Sequence, residues 1–177
     1  MTREMTVVPY DKKWPELYET EKTLLTGIFG DLIVDIRHIG STSIAGMWAK
    51  PIIDIMIVVD NIETVDAFNN KMVTNGYNAK GENGIPGRRY FQKLNPDKSG
   101  NHTHHVHVYQ KGNPHISDEL MFRDYLRIDR EAFRTYLEAK KAASVKYRTS
   151  PFEYQDAKAP CILSILGKAK AYFASIE

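Results

Sequence analysis

One apolar run constrains this chain more than anything else in it: Ile52-Ile53-Asp54-Ile55-Met56-Ile57-Val58-Val59, eight residues with a single carboxylate inside. Its density of β-branched side chains predicts a strand. Because polar alternation is missing, both faces must be covered, as for a central strand of an α/β sheet. Side-chain alternation then puts Ile53, Ile55, Ile57 and Val59 on one face and Ile52, Asp54 and Met56 on the other. An ionised carboxylate among aliphatics is costly unless a cation, a donor or a proton meets it. Two readings of Asp54 stand at this point: it lies near the strand's end and bonds a loop or Lys50, or it ligates a metal or acts as a general base. The run is far shorter than the ~20 residues that span a bilayer, so no membrane insertion is expected.

The flanking sequence supplies partners for such a strand. Trp14, Leu17, Tyr18, Leu25 and Ile28 recur at helical spacing, with Asp11 as candidate N-cap and Pro15 in the first turn. Leu32 to Ile39 reads as a strand. Val65, Phe68 and Met72 predict a helix stopped at Gly76. Arg88–Leu94 and His104–Gln110 flank the turn-rich segment 95–100 and predict two antiparallel strands. The rest predicts helix: one capped by Ser117 and running to Arg127, a second with Phe133, Tyr136, Leu137, Lys140, Ser144 and Tyr147 on one face, and a third opened by Ser150-Pro151-Phe152-Glu153, which Pro160 should break or kink. No linker or repeat interrupts the 177 residues, so a single domain over 1–177 is expected. A balance of 24 Lys plus Arg against 22 Asp plus Glu excludes a histone-like cation. The lone Cys161, and the absence of a signal-length apolar run in Met1 to Tyr10, point to a reducing cytoplasm.

Four clusters could carry chemistry. Asp54 is the first. Gly40-Ser41-Thr42-Ser43, at a strand-to-helix junction, offers amides and hydroxyls to a phosphate, although such clusters are also ordinary turns. His102-Thr103-His104-His105-Val106-His107 concentrates four of the chain's six histidines. Alternation places His105, His107 and Tyr109 on one face, where the histidine pair can chelate, while His102 and His104 read as a solvated hairpin rim. Arg123 and Arg127 share a helix face and either clamp a phosphate or form a ladder with Asp124. Lys140, Lys141, Lys146 and Arg148 form no stripe interleaved with aromatics, so they read as a solvated face and no nucleic-acid partner is expected.

The stretch His38-Ile39-Gly40-Ser41-Thr42-Ser43 through Ala49-Lys50-Pro51-Ile52-Ile53-Asp54-Ile55 closely resembles the signature of the GrpB family. Val8-Pro9-Tyr10 with Trp14, Gly76-Tyr77, His105-Val106-His107-Val108, Phe122-Arg123-Asp124-Tyr125-Leu126-Arg127, Tyr154 and Lys158 extend the match over nearly the whole chain. The family is grouped with the nucleotidyltransferase superfamily, so the resemblance implies an α+β fold: a mixed β-sheet flanked by helices, with a helical C-terminal region and phosphates near Gly40 and Ser41. The superfamily pattern carries two carboxylates at alternate strand positions. Here the second position is Met56, and two-metal chemistry normally needs that carboxylate.

The expected function is therefore binding of a phosphorylated ligand, a nucleotide, at the Gly-Ser loop, with metal-assisted nucleotidyl or phosphoryl transfer as its catalytic form. In that form Ser41 and Thr42 hold terminal phosphates, with Gly40, Ser43 and Lys50 beside them. Asp54, His105 and His107 anchor one divalent ion, and Arg123, Arg127 and Lys158 neutralise developing charge. The catalytic set is Asp54, Ser41 and Lys158. A mixed N/O shell favours Mn²⁺ or Zn²⁺ over Mg²⁺. A non-catalytic phosphate-binding module and a metal-dependent phosphoester hydrolase are the alternatives.

Overall fold

The computed structural model describes residues 6–97 and 99–177. Met1–Met5 and Lys98, which belong to the amino-terminal and turn readings above, lie outside the described residues. The chain runs α1 (Trp14–Phe29), β1 (Ile33–Ile39), β2 (Ile53–Val59), α2 (Asn69–Thr74), β3 (Tyr77–Ala79), β4 (Arg88–Leu94), β5 (His102–Gln110), α3 (Pro114–Ile128), α4 (Arg130–Lys146) and α5 (Pro151–Ile176). Short 3₁₀ turns lie at Gly30–Leu32, Ser41–Ser43 and Ile62–Phe68.

The strands form one mixed sheet in the order β1-β2-β5-β4-β3, antiparallel throughout except for the parallel pair β2–β5. As its composition demands, β2 is internal and covered on both sides. Ile53, Ile55, Ile57 and Val59 pack with Trp14, Tyr18, Leu25 and Ile28 of α1 and with Val65 and Met72. Each of these strand residues is essentially inaccessible, worth about 1.5–3 kcal/mol of transfer free energy. On the opposite face Met56 joins Ile39, Tyr109, Ile116 and Leu120. A separate helical cluster, built from α3, α4 and α5 around Ile44, Met47, Tyr125, Leu126, Tyr136 and Ile165, stands on that second side.

Several local expectations change. Leu17 is 46% exposed, and Glu21 takes a buried place on α1. Asp11 Oδ1 accepts from Lys13 N in the turn before that helix rather than capping it. The 65–72 segment is a 3₁₀ turn followed by a short α-helix, and Tyr77–Ala79 adds an edge strand that the sequence reading left out. The helix assigned to a Ser117 cap begins earlier, at Pro114, because Asn113 accepts from His115 N and proline is well placed in a first turn. The last helix runs unbroken through Pro160. Pro160 and Asp156, whose carbonyl loses its usual donor, both lie on the exposed side, where water can supply the missing bond.

Candidate functional site

Register brings the first cluster together. Asp54 pairs across β1–β2 with Ile39 and across β2–β5 with His105, and Met56 pairs with His107, so Asp54, His105 and His107 share one face. Asp54 Oδ1 lies 3.3 Å from His107 Nε2 and 3.5 Å from His105 Nδ1. Behind them, Arg88 Nη1 faces His107 Nδ1 at 3.4 Å, and His102 Nδ1 faces His105 Nε2 at 3.1 Å. Arg88 is itself fixed by the carbonyls of Glu82 and Asn83 and lies over the Tyr90 ring. A guanidinium only donates, so His107 Nδ1 accepts and Nε2 carries the proton given to Asp54. Burial alone would raise the Asp54 carboxyl, but the hydrogen bonds from His105 and His107 outweigh it and hold the group well below the ordinary carboxylate range. The side chain still reaches the cavity, at 29% exposure.

This donor set does not fit a resident divalent ion. Among the described residues, no group of three or more His, Cys, Asp or Glu side chains is disposed to hold one. The hydrogen bonding explains why: Arg88 keeps the proton on the His107 nitrogen whose lone pair a metal would need. Met56, at the position of a second carboxylate, is sealed in the apolar cluster.

The loop before β2 serves Asp54 directly. Gly40 has φ +72°, and a Cβ there would sit 2.7 Å from Asp54 Oδ2, so the glycine makes room for the carboxylate. Thr42 is buried with its hydroxyl 2.9 Å from His38 Nε2, and Ser43 Oγ donates to the Gly40 carbonyl. His38 stacks on Tyr18, and burial pushes its pKa down to about 4, which keeps it neutral. Arg123 Nη1 donates to His38 O at 3.0 Å and Arg127 Nη2 to Ser43 O at 2.7 Å, while Asp124 pairs with both guanidiniums. The two arginines thus brace both ends of the loop, and neither lines the cavity that Ser41, Thr42 and Asp54 share.

That cavity, of about 330 Å³, is bounded by Ser41, Thr42, Asp54, His105 and His107 from the sheet side and by Lys140, Tyr154 and Lys158 from the helices, with Lys50 at the chain segment between. Lys50 is positioned by the backbone bridge of Val8 with Ala49. Lys140, only 2% exposed, lies 5.0 Å from the Tyr136 ring; Lys158, 7% exposed, lies 4.2 Å from the Tyr154 ring, which Lys50 also approaches at 5.0 Å. Among the described residues, no carboxylate is within ion-pair distance of Lys140 or Lys158. Burial, and then Lys158, pushes the Lys140 ammonium down to about 6; burial, and then Lys50, pushes Lys158 to about 8. A larger cavity of about 510 Å³ lies beyond the loop against Ile44, Arg127 and Phe133 and holds none of these groups.

Two sequence readings are corrected here. Lys140 does not belong to a solvated face. It sits on the buried stripe of α4 with Tyr136 and Ala143. Tyr136/Lys140 and Tyr154/Lys158 both repeat a tyrosine four residues before a lysine on the core side of a helix, and that spacing was the available signal. The solvated-rim reading fails for His104, which is buried on the other sheet face with its Nε2 3.7 Å from Glu21, whereas His102 is half-buried and packs against the His105 ring, as a rim of histidines stacked on neighbours would.

Comparison with known proteins places this architecture. The chain is 45% identical over 171 residues to the UPF0157 protein YqkA of Bacillus subtilis, covering 96% of this chain and 48% of that protein, so it spans about half the length of that relative. It is similar to the crystal structure of the conserved protein GrpB from Enterococcus faecalis, with TM-score 0.88 and 37% identity over 95% of this chain and 99% of that one. The Cid1 poly(U) polymerase structure shares the fold at TM-score 0.53 and 12% identity, covering 80% of this chain and 43% of that one, which makes the fold nucleotidyltransferase-like. Residues 4–168 match the family described as GrpB protein, and the chain belongs to that family.

Proposed function

We propose that the chain binds a small phosphorylated ligand of the nucleotide class in the cavity between the sheet and the helical region. One observation carries this reading: Lys140 and Lys158 converge from two helices on a cavity whose only lining carboxylate among the described residues, Asp54, is already engaged by two histidines. Burying ammonium groups is costly without an anion, and a phosphate supplies one. Ser41 adds a hydroxyl at the same wall, and Arg123 and Arg127 act as positioning residues that hold the loop. Lys158 and Ser41 are ligand-binding groups on this reading, and Asp54 is a fixed anion that orients His105 and His107. An efficient general base has a pKa near the working pH, which a carboxylate held this low does not. Two-metal transfer lacks its second carboxylate at Met56. The geometry therefore favours binding over nucleotidyl transfer.

Calorimetric titration with ATP, AMP, inorganic phosphate and adenosine, each with a chelator and with added Mn²⁺, tests this. Phosphate-bearing compounds should bind without metal and adenosine should not, and Lys158→Met should weaken binding at least tenfold. Equal binding of adenosine and AMP, or phosphate binding unchanged in both Lys158→Met and Lys140→Met, would overturn it.

A further inference from the structure

Resting on that reading and going beyond it, we infer that Lys140 is an amine nucleophile that forms an imine with a phosphorylated aldehyde or ketone seated in the same cavity. Lys140 projects from the buried stripe of α4 toward the cavity, which Lys158 of α5 also lines. It is 2% exposed, its Nζ lies 5.0 Å from the Tyr136 ring, and among the described residues no carboxylate is within ion-pair distance of it. An amine taken out of water against an aromatic ring and near a second cation favours its neutral form, the arrangement that turns a lysine into a nucleophile. The charged groups facing it are Lys158 of α5, Lys50 of the segment before β2 and Asp54 of β2, and Asp54 is engaged by His105 and His107. The Tyr136 hydroxyl on its own helix stays neutral, since burial pushes it up to about 12.

The two lysines divide the chemistry. Lys140 loses its proton at about 6 and Lys158 only at about 8, so at neutral pH the first is mostly an amine and the second mostly an ammonium. An ammonium meets a phosphate better than an amine does, because its charge strengthens the hydrogen bond. What the neutral Nζ offers instead is a lone pair, and the carbon electrophile that a lysine amine adds to reversibly is a carbonyl. With the phosphate held by Lys158 and Ser41, Nζ of Lys140 adds to the carbonyl carbon: the C–N bond forms, the C=O π pair moves to oxygen, and one proton passes from nitrogen to that oxygen to give a carbinolamine. The C–O bond then breaks. Oxygen leaves as water with one further proton taken from solvent, and the nitrogen lone pair closes the C=N bond of a protonated imine.

The test uses the full chain with pyridoxal 5′-phosphate, a phosphorylated aldehyde, with pyridoxal, which lacks the phosphate, and with pyridoxine 5′-phosphate, which lacks the carbonyl. Borohydride reduction after brief exposure, followed by peptide mass mapping, locates the imine. With pyridoxal 5′-phosphate the first adduct should fall on Lys140, be blocked by pyridoxine 5′-phosphate and be absent from Lys140→Arg, whose guanidinium forms no imine. Pyridoxal should label Lys140 at least about tenfold more slowly, because a seated aldehyde reacts as an intramolecular partner. The rate at Lys140 should rise as the pH passes about 6, while surface lysines gain reactivity only toward about 10.4. Adducts on surface lysines or on Lys158 ahead of Lys140, with calorimetric binding of pyridoxine 5′-phosphate intact, overturn the inference and leave phosphate binding standing. If pyridoxine 5′-phosphate neither binds nor protects, the phosphate reading falls and the inference with it.

Discussion

Gly40 and Asp54 share a space that admits no further atom: a Cβ on residue 40 would lie 2.7 Å from Asp54 Oδ2 and 3.2 Å from Asp54 Cβ. The strand's carboxylate and the loop's glycine are thus one device, in which the loop closes over the ionised oxygen. Gly40→Ala should destabilise the fold by about 1–3 kcal/mol, from positive φ and from the clash. In an Asp54→Ala background the cost should shrink, leaving mostly the backbone contribution. Urea unfolding of the four proteins of this double-mutant cycle measures it; strict additivity would show that residue 40 acts through φ alone.

The sequence made this pair visible but not their relationship. An unalternated apolar run announces an internal strand whatever its neighbours, so β2 and both of its faces could be read from Ile52 to Val59. Likewise, the period of two placed His105 and His107 together on β5. What the sequence left obscure depends on which helix face turns inward. Helical spacing put Lys140 on the face of Tyr136, but as one of several charges on a lysine-rich helix it gave no sign of being buried there. Arg123 and Arg127 offer the right chemistry for a phosphate, yet the carbonyls of His38 and Ser43 lie nearer, and long-range backbone acceptors have no sequence signature.

The buried lysines should make the protein less stable than it needs to be. An amine whose folded pKa is lowered binds fewer protons in the folded state than in the unfolded one, so stability rises with pH between the two values. For Lys140 that window runs from about 6 up to 10.5, and for Lys158 from about 8 up to 10.5. Below about 6 the Lys140 penalty is complete. Lys140→Met is expected to raise stability at pH 7 by a few kcal/mol and to flatten the rise toward pH 10. Denaturant unfolding at pH 6, 7.5 and 9 checks both, and a variant less stable than wild type at pH 7 would show that Lys140 is structurally paired.

His38 sets the acid limit. Its folded pKa, about 4, lies below the ordinary histidine value of 6.5, so as the pH falls through 6.5 the unfolded chain takes up a proton that the folded one refuses. Stability is lost across the window from 6.5 to about 4, by about 3 kcal/mol at most. Protonation would also leave Nε2 able only to donate to the Thr42 hydroxyl, which lies 2.9 Å away. His38→Gln should have a flatter thermal midpoint between pH 7 and pH 4.5 than wild type; parallel profiles would move the acid sensitivity elsewhere.

Arg88 should decide whether the histidine face can take a metal. While its guanidinium faces His107 Nδ1 at 3.4 Å, the proton stays on Nε2, and binding an ion there requires both loss of that proton and rotation of the imidazole or displacement of Arg88. Wild type is therefore expected to hold Mn²⁺ or Zn²⁺ weakly. Arg88→Met removes the constraint and one positive charge, so the same three side chains, Asp54, His105 and His107, should then bind either ion at least tenfold more tightly. Electron paramagnetic resonance of Mn²⁺ with wild type, His107→Ala, Arg88→Met and Arg88→Met/His107→Ala gives the answer directly. Tight binding already present in wild type and abolished by His107→Ala alone would establish a single-ion centre and return metal-assisted transfer to this site.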